Sequence, residues 1–439
     1  MDIQRLRRRL RVAAIAGLTL GLLFVAVQPG GANKRAVPNG DTIVAPLALR
    51  SVSATTTAEA GVSTRPPAPA TTPVWRIPAA QIDPAHAVVE GDQLVQHLDD
   101  GTRVELTLDP MLQRAALRSL KKYEVGYGVV VAMRPKTGEI LAMAEYASGR
   151  PDLRRLALQA EGPAASIFKI VSSAALVELA GLQPDDRICT HGGRKGLSLY
   201  NLRPDAKRDQ KCQSLGEALG SSNNVAFARW ADKLLRPTQL QAMSERFLFN
   251  RRIPFVWGTA VSRVRIPSSS RLGFARSAAG FEGSHLSPLH AAMVMGSVAN
   301  GGAMMAPRLV RGATLDGVER YRFKPAVVSQ TVKPDTARKV LEMMVHTTTT
   351  GTGRKFFEKN RKRRLPGIDV AGKTGSLTAR DTGVTRHYSW FVGAAPADDP
   401  EIVIASLVVN GAEWTVKGIV PARELLSTYF TRKQQGSNH

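Results

Sequence analysis

The 439-residue sequence predicts an α+β fold in which an antiparallel sheet is flanked by helices. Two strand patterns, Tyr127–Met133 and Glu139–Met143, occur early and are joined by a loop containing Pro and Gly, as in a hairpin. Three more occur late, at Ile368–Ala371, His387–Gly393 and Ile402–Val409. Strands at both ends of the domain with helical periodicity between them predict one sheet whose halves meet around a helical subdomain, rather than alternating βαβ units.

The predicted helices fill the interval between the strand patterns and close the chain. A short helix is predicted after Asp109-Pro110. The predicted helices are Leu112–Tyr123, Ser166–Ala180, Val225–Leu235, His285–Asn300 and Ala422–Phe430.

The composition is that of a folded protein with a large excess of basic residues. Hydrophobic residues make up 43% and charged residues 22%, which excludes wholesale disorder. Two cysteines are too few for a disulfide-built mini-protein or a four-cysteine zinc site. The net charge of +24 indicates either nucleic acid or an anionic membrane or polymer surface as a partner.

The N-terminus has the pattern of an export segment. Residues 1–11 carry five arginines against Asp2, and the uncharged run Val12–Val27 follows. These 16 residues span about 24 Å as a helix, slightly less than a hydrocarbon core of roughly 30 Å, and snorkelling arginines can make up the difference. We therefore expect residues 12–28 to be a transmembrane anchor or a cleaved signal sequence, with a buried core helix as the third interpretation.

The remainder divides by composition into three parts. Residues 29–75 are predicted to be an extended linker rich in Ala, Thr and Pro, since such a sequence has little to bury. Residues 76–103 are predicted to be a short lead-in segment, and residues 104–439 to be the main domain.

The sharpest local motif is Ser166-Ile167-Phe168-Lys169 at the start of a predicted helix. Residues at i and i+3 lie on one helix face, so the hydroxyl and the amine can meet. Burial lowers the pKa of a lysine until it can accept a serine proton, which makes such a pair a nucleophile and its base. A helix-capping serine beside a solvated lysine is the simpler interpretation of this motif alone.

Two further motifs carry polar side chains. Ser221-Ser222-Asn223 precedes a predicted helix, where helix capping is the simpler interpretation. Lys373-Thr374-Gly375-Ser376 follows the strand pattern that ends at Ala371, and can bind a carboxylate while its backbone pairs with a peptide. Gly375 leaves room for that approach.

Taken together, Ser-x-x-Lys, Ser-x-Asn and Lys-Thr-Gly in this order resemble the active-site motifs of penicillin-binding proteins and serine β-lactamases. The resemblance covers the chain from about Val104 to its end. The segments around the three motifs also resemble the transpeptidase domain of this family. Those segments are Lys136–Met143, Leu286–Leu289 with Ala299–Gly302, and Ser389–Gly393. One departure is Ala164-Ala165 before the serine, where the family often has Pro-Gly; it changes backbone freedom and leaves the chemistry intact.

The resemblance implies a serine D-Ala-D-Ala transpeptidase of the cell wall that β-lactams acylate, needing no cofactor and no metal. Ser166 would attack the penultimate D-Ala of a peptidoglycan stem peptide, with Lys169 as the general base. Ser221 would relay a proton to the leaving amine, and Asn223 would position Lys169.

In the same comparison Lys373 would supply positive potential, while Thr374 and Ser376 would hold the terminal carboxylate beside Gly375. Backbone N–H groups of Ser166 and Ser376 would form the oxyanion hole.

The motifs alone do not decide which kind of protein within this family the chain is. A class A β-lactamase needs a deacylating Glu, and the register around Glu245 does not match that requirement. A bifunctional polymerase would need a glycosyltransferase domain, which residues 33–103 cannot hold. We expect a monofunctional transpeptidase; a D,D-carboxypeptidase and a non-catalytic lactam or peptidoglycan sensor are the alternatives.

The expected location follows from the export segment and the wall chemistry. We expect a single-pass protein of the bacterial cytoplasmic (inner) membrane, with its catalytic domain in the periplasm or outside the membrane. Peptidoglycan stem peptides, β-lactams, the membrane and a membrane glycan polymerase are the expected partners, and nucleic acid is not.

Two other features have competing interpretations. Gly367–Thr374 also satisfies the P-loop pattern of an ATPase, but a P-loop opens a helix whereas a second strand is predicted here. Cys189 and Cys212 are expected to form a disulfide in an oxidising compartment, with free thiols as the alternative.

The charge of +24 divides into separate parts. Residues 1–11 contribute +4, which membrane orientation explains. The run Arg354–Arg364 holds seven basic residues against Glu358. It is predicted to be either a solvated loop or a surface for anionic phospholipid or wall polymer.

Overall fold

A computed structural model of the protein describes residues 77–148, 154–193, 196–381 and 384–436. The basic segment, the apolar segment 12–28 and the linker 29–75 lie outside the described residues. Within those four ranges, no helix has both the length and the hydropathy needed to cross a membrane.

The strands occur in runs that are separated by groups of helices. The strands are β1 (Val88–Glu90), β2 (Gln93–His97), β3 (Arg103–Leu106), β4 (Tyr127–Met133), β5 (Ile140–Ala147), β6 (Arg187–Thr190), β7 (Lys211–Ser214), β8 (Arg263–Val264), β9 (Ser284–His285), β10 (Ala303–Met305), β11 (Val310–Leu315), β12 (Val318–Arg322), β13 (Val327–Gln330), β14 (Glu358–Lys359), β15 (Lys362–Arg363), β16 (Ala371–Asp381), β17 (Val384–Ala395) and β18 (Ile402–Asn410).

The α-helices are α1 (Pro110–Lys122), α2 (Lys169–Ala180), α3 (Leu199–Leu202), α4 (Leu215–Ser221), α5 (Asn224–Leu234), α6 (Pro237–Arg246), α7 (Arg271–Ala278), α8 (Pro288–Ala299), α9 (Pro334–Thr349), α10 (Arg354–Phe357) and α11 (Ile419–Gly436). Three 3₁₀ turns span Pro84–His86, Leu156–Leu158 and Ala165–Phe168.

The central sheet joins strands from both ends of the domain. Its order is β16-β17-β18-β4-β5, and each neighbouring pair is antiparallel. The late strand β18 lies directly against the early strand β4, with Val403 opposite Met133. The predicted α+β arrangement, a sheet completed around intervening helices, is therefore confirmed.

Both faces of this sheet are covered, because its strands are apolar on both sides. Along β18, Val403, Ala405 and Leu407 belong to the core shared with α2, α5 and α8. The alternating residues Ile402 and Ile404 pack instead against α1 and α11. The first of these cores lies between the sheet and the helices that carry the site.

The lead-in segment is part of the fold. β1, β2 and β3 form a second five-stranded sheet with β11 and β12, in the order β1-β2-β3-β11-β12. The boundary that the sequence placed between residues 103 and 104 therefore falls inside β3.

The prediction of a strand at Ile368–Ala371 is wrong in its position. Regular pairing begins at Ala371 and continues through Lys-Thr-Gly to Asp381, so Lys373, Thr374 and Gly375 lie within edge strand β16. A P-loop threonine opens a helix after its glycine-rich loop, whereas Thr374 is paired across the sheet with Phe391. The ATPase alternative is excluded by this geometry.

Candidate active site

The segment that carries Ser166 is a 3₁₀ turn leading directly into α2. The indole Nε1 of Trp390 on β17 donates to the carbonyl of Pro163 at 2.9 Å, which fastens the approach to the turn. Ala165 has a φ of 49°, in the left-handed region that a residue with a Cβ adopts at a cost. This is the position where the family that the motifs resemble often has Gly.

The same turn is held closely from the other side. Gly280 has a φ of 77°, and a Cβ there would lie 2.2 Å from the carbonyl oxygen of Ala165. Only a residue without a side chain permits this approach. The nucleophile segment is thus fixed between β17 and the loop after α7.

Lys169 is fully buried and its amine is surrounded by oxygen atoms. The Nζ atom lies 3.0 Å from Oγ of Ser166, 2.7 Å from Oδ1 of Asn224 and 2.5 Å from the carbonyl oxygen of Ala279. Burial lowers the pKa of Lys169 well below its ordinary value, and the positive charge of Lys373 lowers it further.

A neutral lysine matches these three partners. A neutral amine has two N–H donors and one lone pair, and the oxygens of Asn224 and Ala279 can only accept. When burial leaves Lys169 neutral, those two oxygens take both N–H groups and the lone pair is left for the O–H of Ser166. The geometry makes Lys169 a proton acceptor for Ser166.

The asparagine that meets Lys169 is Asn224, not Asn223 as the sequence predicted. Asn223 is the N-cap of α5, and its Oδ1 accepts from the backbone N–H groups of Val225 and Ala226 at 3.1 Å. Its Nδ2 donates to Gln213 and Thr190 on β7 and β6. The side chain of Asn223 is therefore used entirely to hold the helix start and the neighbouring hairpin.

The serine of the Ser-x-Asn motif is likewise one residue later than the sequence predicted, because the asparagine that contacts Lys169 is Asn224. Ser221 is the last residue of α4, and its Oγ lies 3.0 Å from Nε2 of Gln213, a contact with the β7 segment. Ser222 follows in the left-handed conformation, with φ 56° and ψ 42°, two residues before Asn224. The Ser-x-Asn spacing that includes the lysine partner is thus Ser222-Asn223-Asn224.

Lys373 is the second fully buried lysine of the site. Its Nζ donates to the carbonyl of Thr374 at 2.8 Å, and burial lowers its pKa to about 7. Gly375 brings β16 against the nucleophile turn, since a Cβ there would lie 3.2 Å from Ile167. Ser376 is exposed at the edge of the sheet, opposite Ser389.

Thr352 joins two of the motifs and was not singled out from the sequence. Its Oγ1 lies 2.6 Å from Oγ1 of Thr374, and its backbone N–H donates to the carbonyl of Gly220, two residues before Ser222. No single-sequence signal distinguishes it from the threonines at 347–350.

A disulfide and a buried ion pair support the Ser222 segment. Cys189 and Cys212 are bonded and face each other in the β6–β7 hairpin. Beneath it, the guanidinium of Arg229 on α5 donates to the carboxylate of Asp209 at 2.8 Å and to the carbonyl of Cys189 at 2.9 Å. Hydrogen bonds from Arg229 and His191 hold the pKa of Asp209 well below its usual range, although burial opposes them.

The alternative deacylating residue Glu245 lies on α6. Its Oε1 accepts from Nε2 of Gln241 at 3.1 Å, one turn earlier on the same helix. This contact is that of an ordinary helix-surface pair.

Comparison with known proteins agrees with this constellation. The family model described as the penicillin binding protein transpeptidase domain matches residues 128–425, which is more than half of the chain. The chain belongs to this family. The match contains all three motifs and the central sheet.

Two curated relatives cover similar parts of the chain. Peptidoglycan D,D-transpeptidase PbpA of Mycobacterium tuberculosis is 29% identical over 350 residues, covering 71% of this chain and 68% of that protein. Stage V sporulation protein D of Bacillus subtilis is 26% identical over 333 residues, covering 71% of this chain and 50% of that protein.

Solved structures of penicillin-binding transpeptidases share the fold. The D,D-transpeptidase domain of a peptidoglycan glycosyltransferase from Eggerthella lenta has 30% identity and a TM-score of 0.61, covering 75% of this chain and 83% of that one. Penicillin-binding protein A of M. tuberculosis, solved as a ceftriaxone acyl-enzyme complex, has 25% identity and a TM-score of 0.62, with 75% and 80% coverage.

Proposed function

We propose that this penicillin-binding protein is a peptidoglycan D,D-transpeptidase that cross-links stem peptides through an acyl-enzyme on Ser166. The observation that carries the proposal is the buried Lys169, whose Nζ lies 3.0 Å from Oγ of Ser166 and within hydrogen-bond distance of Oδ1 of Asn224 and the carbonyl oxygen of Ala279. The relative PbpA of M. tuberculosis is named for this activity, and penicillin-binding protein A of that organism was solved with a β-lactam covalently bound.

In the first half-reaction Oγ of Ser166 bonds to the carbonyl carbon of the penultimate D-Ala, and its proton passes to Nζ of Lys169. The backbone N–H groups of Ser166 and Ser376 stabilise the oxyanion. The C–N bond to the terminal D-Ala then breaks, and its nitrogen receives a proton through the hydroxyl of Ser222. An ester remains on Ser166, and D-Ala leaves.

In the second half-reaction the amine of a neighbouring stem attacks this ester. The new amide bond forms as the amine proton passes to Lys169, the ester C–O bond breaks, and Lys169 returns a proton to Oγ of Ser166, which restores the hydroxyl and the neutral lysine. Asn224 keeps the amine of Lys169 oriented through both steps. A β-lactam follows only the first half, since its leaving nitrogen stays tethered to the acyl group.

The β16 edge recognises the end of the donor stem. The charge of Lys373 attracts the terminal carboxylate, and the hydroxyls of Thr374 and Ser376 bind it. Gly375 lets the strand lie against the nucleophile turn.

Labelling with a fluorescent penicillin tests the proposal. The native chain should give a covalent adduct on a denaturing gel, Ser166→Ala should give none, and Ser173→Ala, on the same helix, should label normally. A thioester donor with a D-amino acid acceptor then separates the outcomes. Exchange product supports the transpeptidase, hydrolysis alone indicates a carboxypeptidase, and an adduct without turnover indicates a sensor.

The membrane location is proposed from the sequence. The arginine-rich residues 1–11 and the apolar residues 12–28 would anchor the chain in the cytoplasmic membrane with its catalytic domain outside. A membrane glycan polymerase is the proposed source of the uncross-linked strand. Membrane fractions washed with carbonate should retain the chain, and deleting residues 1–28 should release it.

A further inference from the structure

A dense group of exposed positive charges lies outside the group of residues that surrounds Ser166 and the two buried lysines. Residues 354–364 form α10 and the small hairpin β14–β15, and all seven basic side chains there are exposed. Two basic residues at the start of α11 adjoin them. We call this surface the basic hairpin patch; it consists of Arg354, Lys355, Lys359, Arg361, Lys362, Arg363, Arg364, Lys417 and Arg423.

Little of this charge is neutralised within the protein. Arg354 pairs with Glu358 at 3.0 Å, Arg363 with Asp369 at 2.5 Å and Arg423 with Glu424 at 3.5 Å. Lys359, Arg361 and Lys362 form no ion pair with any acidic group in the part of the chain that the structure describes. Like charges at this density repel one another, so the patch is suited to a polyanion.

Lys417 and Arg423, from the α11 segment, interact electrostatically with the charges of residues 354–364. Burial lowers the pKa of Lys417, and the charge of Lys355 lowers it further. Burial likewise lowers the pKa of Arg423, with a contribution from Arg364. The guanidinium of Arg423 also donates to the carbonyl of Phe356, which joins α11 to α10.

The patch adjoins the edge that binds the donor stem. The hairpin segment starts two residues after Thr352, which contacts Thr374 on β16 at 2.6 Å. On the other side, Lys417 precedes Gly418, whose N–H donates to Oγ of Ser389 at 3.0 Å. Ser389 lies opposite Ser376 in the sheet. A long ligand that ends at β16 can therefore reach the patch.

The surroundings favour a glycan over a bilayer or a nucleic acid. Membrane-surface segments combine basic residues with exposed apolar ones. Here Phe357 is 7% exposed. Trp414 is 39% exposed, but its ring stacks on His387 at 4.8 Å, and Nζ of Lys417 lies 3.8 Å from the centre of that ring. No open aromatic face is left at Trp414 for stacking a base.

We propose that the basic hairpin patch binds the carboxylate-bearing peptidoglycan strand whose stem peptide occupies the active site. This rests on the transpeptidase function proposed above. Neighbouring stems on one strand carry carboxylates, so a strand held at Ser166 presents further negative charge to the patch. The second contact is intramolecular, which raises the effective concentration of the polymeric substrate.

The test compares two variants of the full chain in non-ionic detergent. The patch variant carries Lys359→Gln, Arg361→Gln, Lys362→Gln and Arg364→Gln. The control carries the same loss of charge at other exposed positions, through Arg251→Gln, Arg252→Gln, Arg320→Gln and Lys324→Gln. Binding to pelleted uncross-linked peptidoglycan is measured from 20 to 500 mM salt, and acylation is measured with a single-stem thioester.

Native chain and control should bind the pelleted polymer equally at low salt and release it at high salt, because exposed charges are screened. The patch variant should bind about tenfold more weakly, with its acylation unchanged. If both variants lost the same amount of binding, the loss would come from the change in net charge and not from the patch, and the proposal would be overturned. Competition by phosphatidylglycerol micelles as strong as that by glycan fragments would assign the surface to lipid instead. Loss of acylation in all three proteins, with patch-dependent pelleting retained, would refute the proposed function but not the polymer contact.

Discussion

Replacing Asn224 by alanine should slow acylation, because it removes an oxygen that orients the amine of Lys169. The Oδ1 of Asn224 accepts from Nζ of Lys169 at 2.7 Å in a site where the lysine is fully buried. Removing one partner of a buried polar group costs about 1–3 kcal/mol. Since about 1.4 kcal/mol corresponds to a factor of ten, the rate of acylation should fall roughly 5- to 150-fold.

Replacing the adjacent Asn223 should have the opposite pattern. Its side chain caps α5 and bonds Gln213 and Thr190, so its loss should lower the free energy of unfolding by about 1–2 kcal/mol. Acylation should stay near the native rate because no bond joins Asn223 to Lys169.

The assay measures the second-order rate constant for a fluorescent penicillin and the urea midpoint of each variant. Both variants change one asparagine to alanine on neighbouring residues, so each is the control for the other. Slow acylation in Asn223→Ala with a native rate in Asn224→Ala would refute the reasoning and restore the register first predicted from the sequence.

Three further predictions concern the turn, the hairpin and the pH profile. Ala165→Gly should raise the free energy of unfolding by about 0.5–1 kcal/mol in urea titrations, because Gly adopts the φ of 49° without strain; no change would refute the strain. Replacing Cys189 and Cys212 by serine should cost about 2–4 kcal/mol in the same measurement, and an unchanged midpoint would count against a stabilising disulfide. The acylation rate constant should rise with pH as Lys169 loses its proton and fall above a pH of about 7 as Lys373 becomes neutral. Lys373→Arg should move the falling limb to higher pH, and an unmoved limb would assign it to another group.

The sequence predicted the sheet well where strands are apolar on both faces. β4 spans Tyr127–Met133 as expected, since an unbroken apolar run suits a strand covered on both sides. Asp109 before Pro110 likewise marked the start of α1, where its carboxylate accepts from Met111 and Leu112. Local physical preferences and tertiary packing agree in both elements.

β16 could not be found in the same way. An edge strand has one side open, so Lys373, Thr374 and Ser376 break the apolar pattern within a strand that pairs up to Asp381. The polar residues for which we propose substrate binding are the ones that interrupt the apolar pattern of the strand.

The sequence contains a local signal for the Ser-x-Asn register. The segment Ser221-Ser222-Asn223-Asn224 contains the spacing twice, and resemblance alone does not choose between the two. Asparagine immediately before a helix is a preferred N-cap, which commits its oxygen to the backbone. Asn223 is that cap, so Asn224 was the residue left free to meet another side chain.

The burial of two lysines lowers the stability of the fold and at the same time provides the base for acyl transfer. The fall in the pKa of Lys373 from 10.5 to about 7 corresponds to about 5 kcal/mol that a charged lysine costs the folded state. Because the folded pKa lies below the unfolded one, this cost is absent above a pH of 10.5 and grows as the pH falls towards 7. The apolar helices around Lys169 and Lys373 impose that cost, and the same desolvation makes Lys169 a base for Ser166. A chain that buried these amines less deeply would fold more stably at neutral pH and would lose the neutral lysine on which its acyl transfer depends.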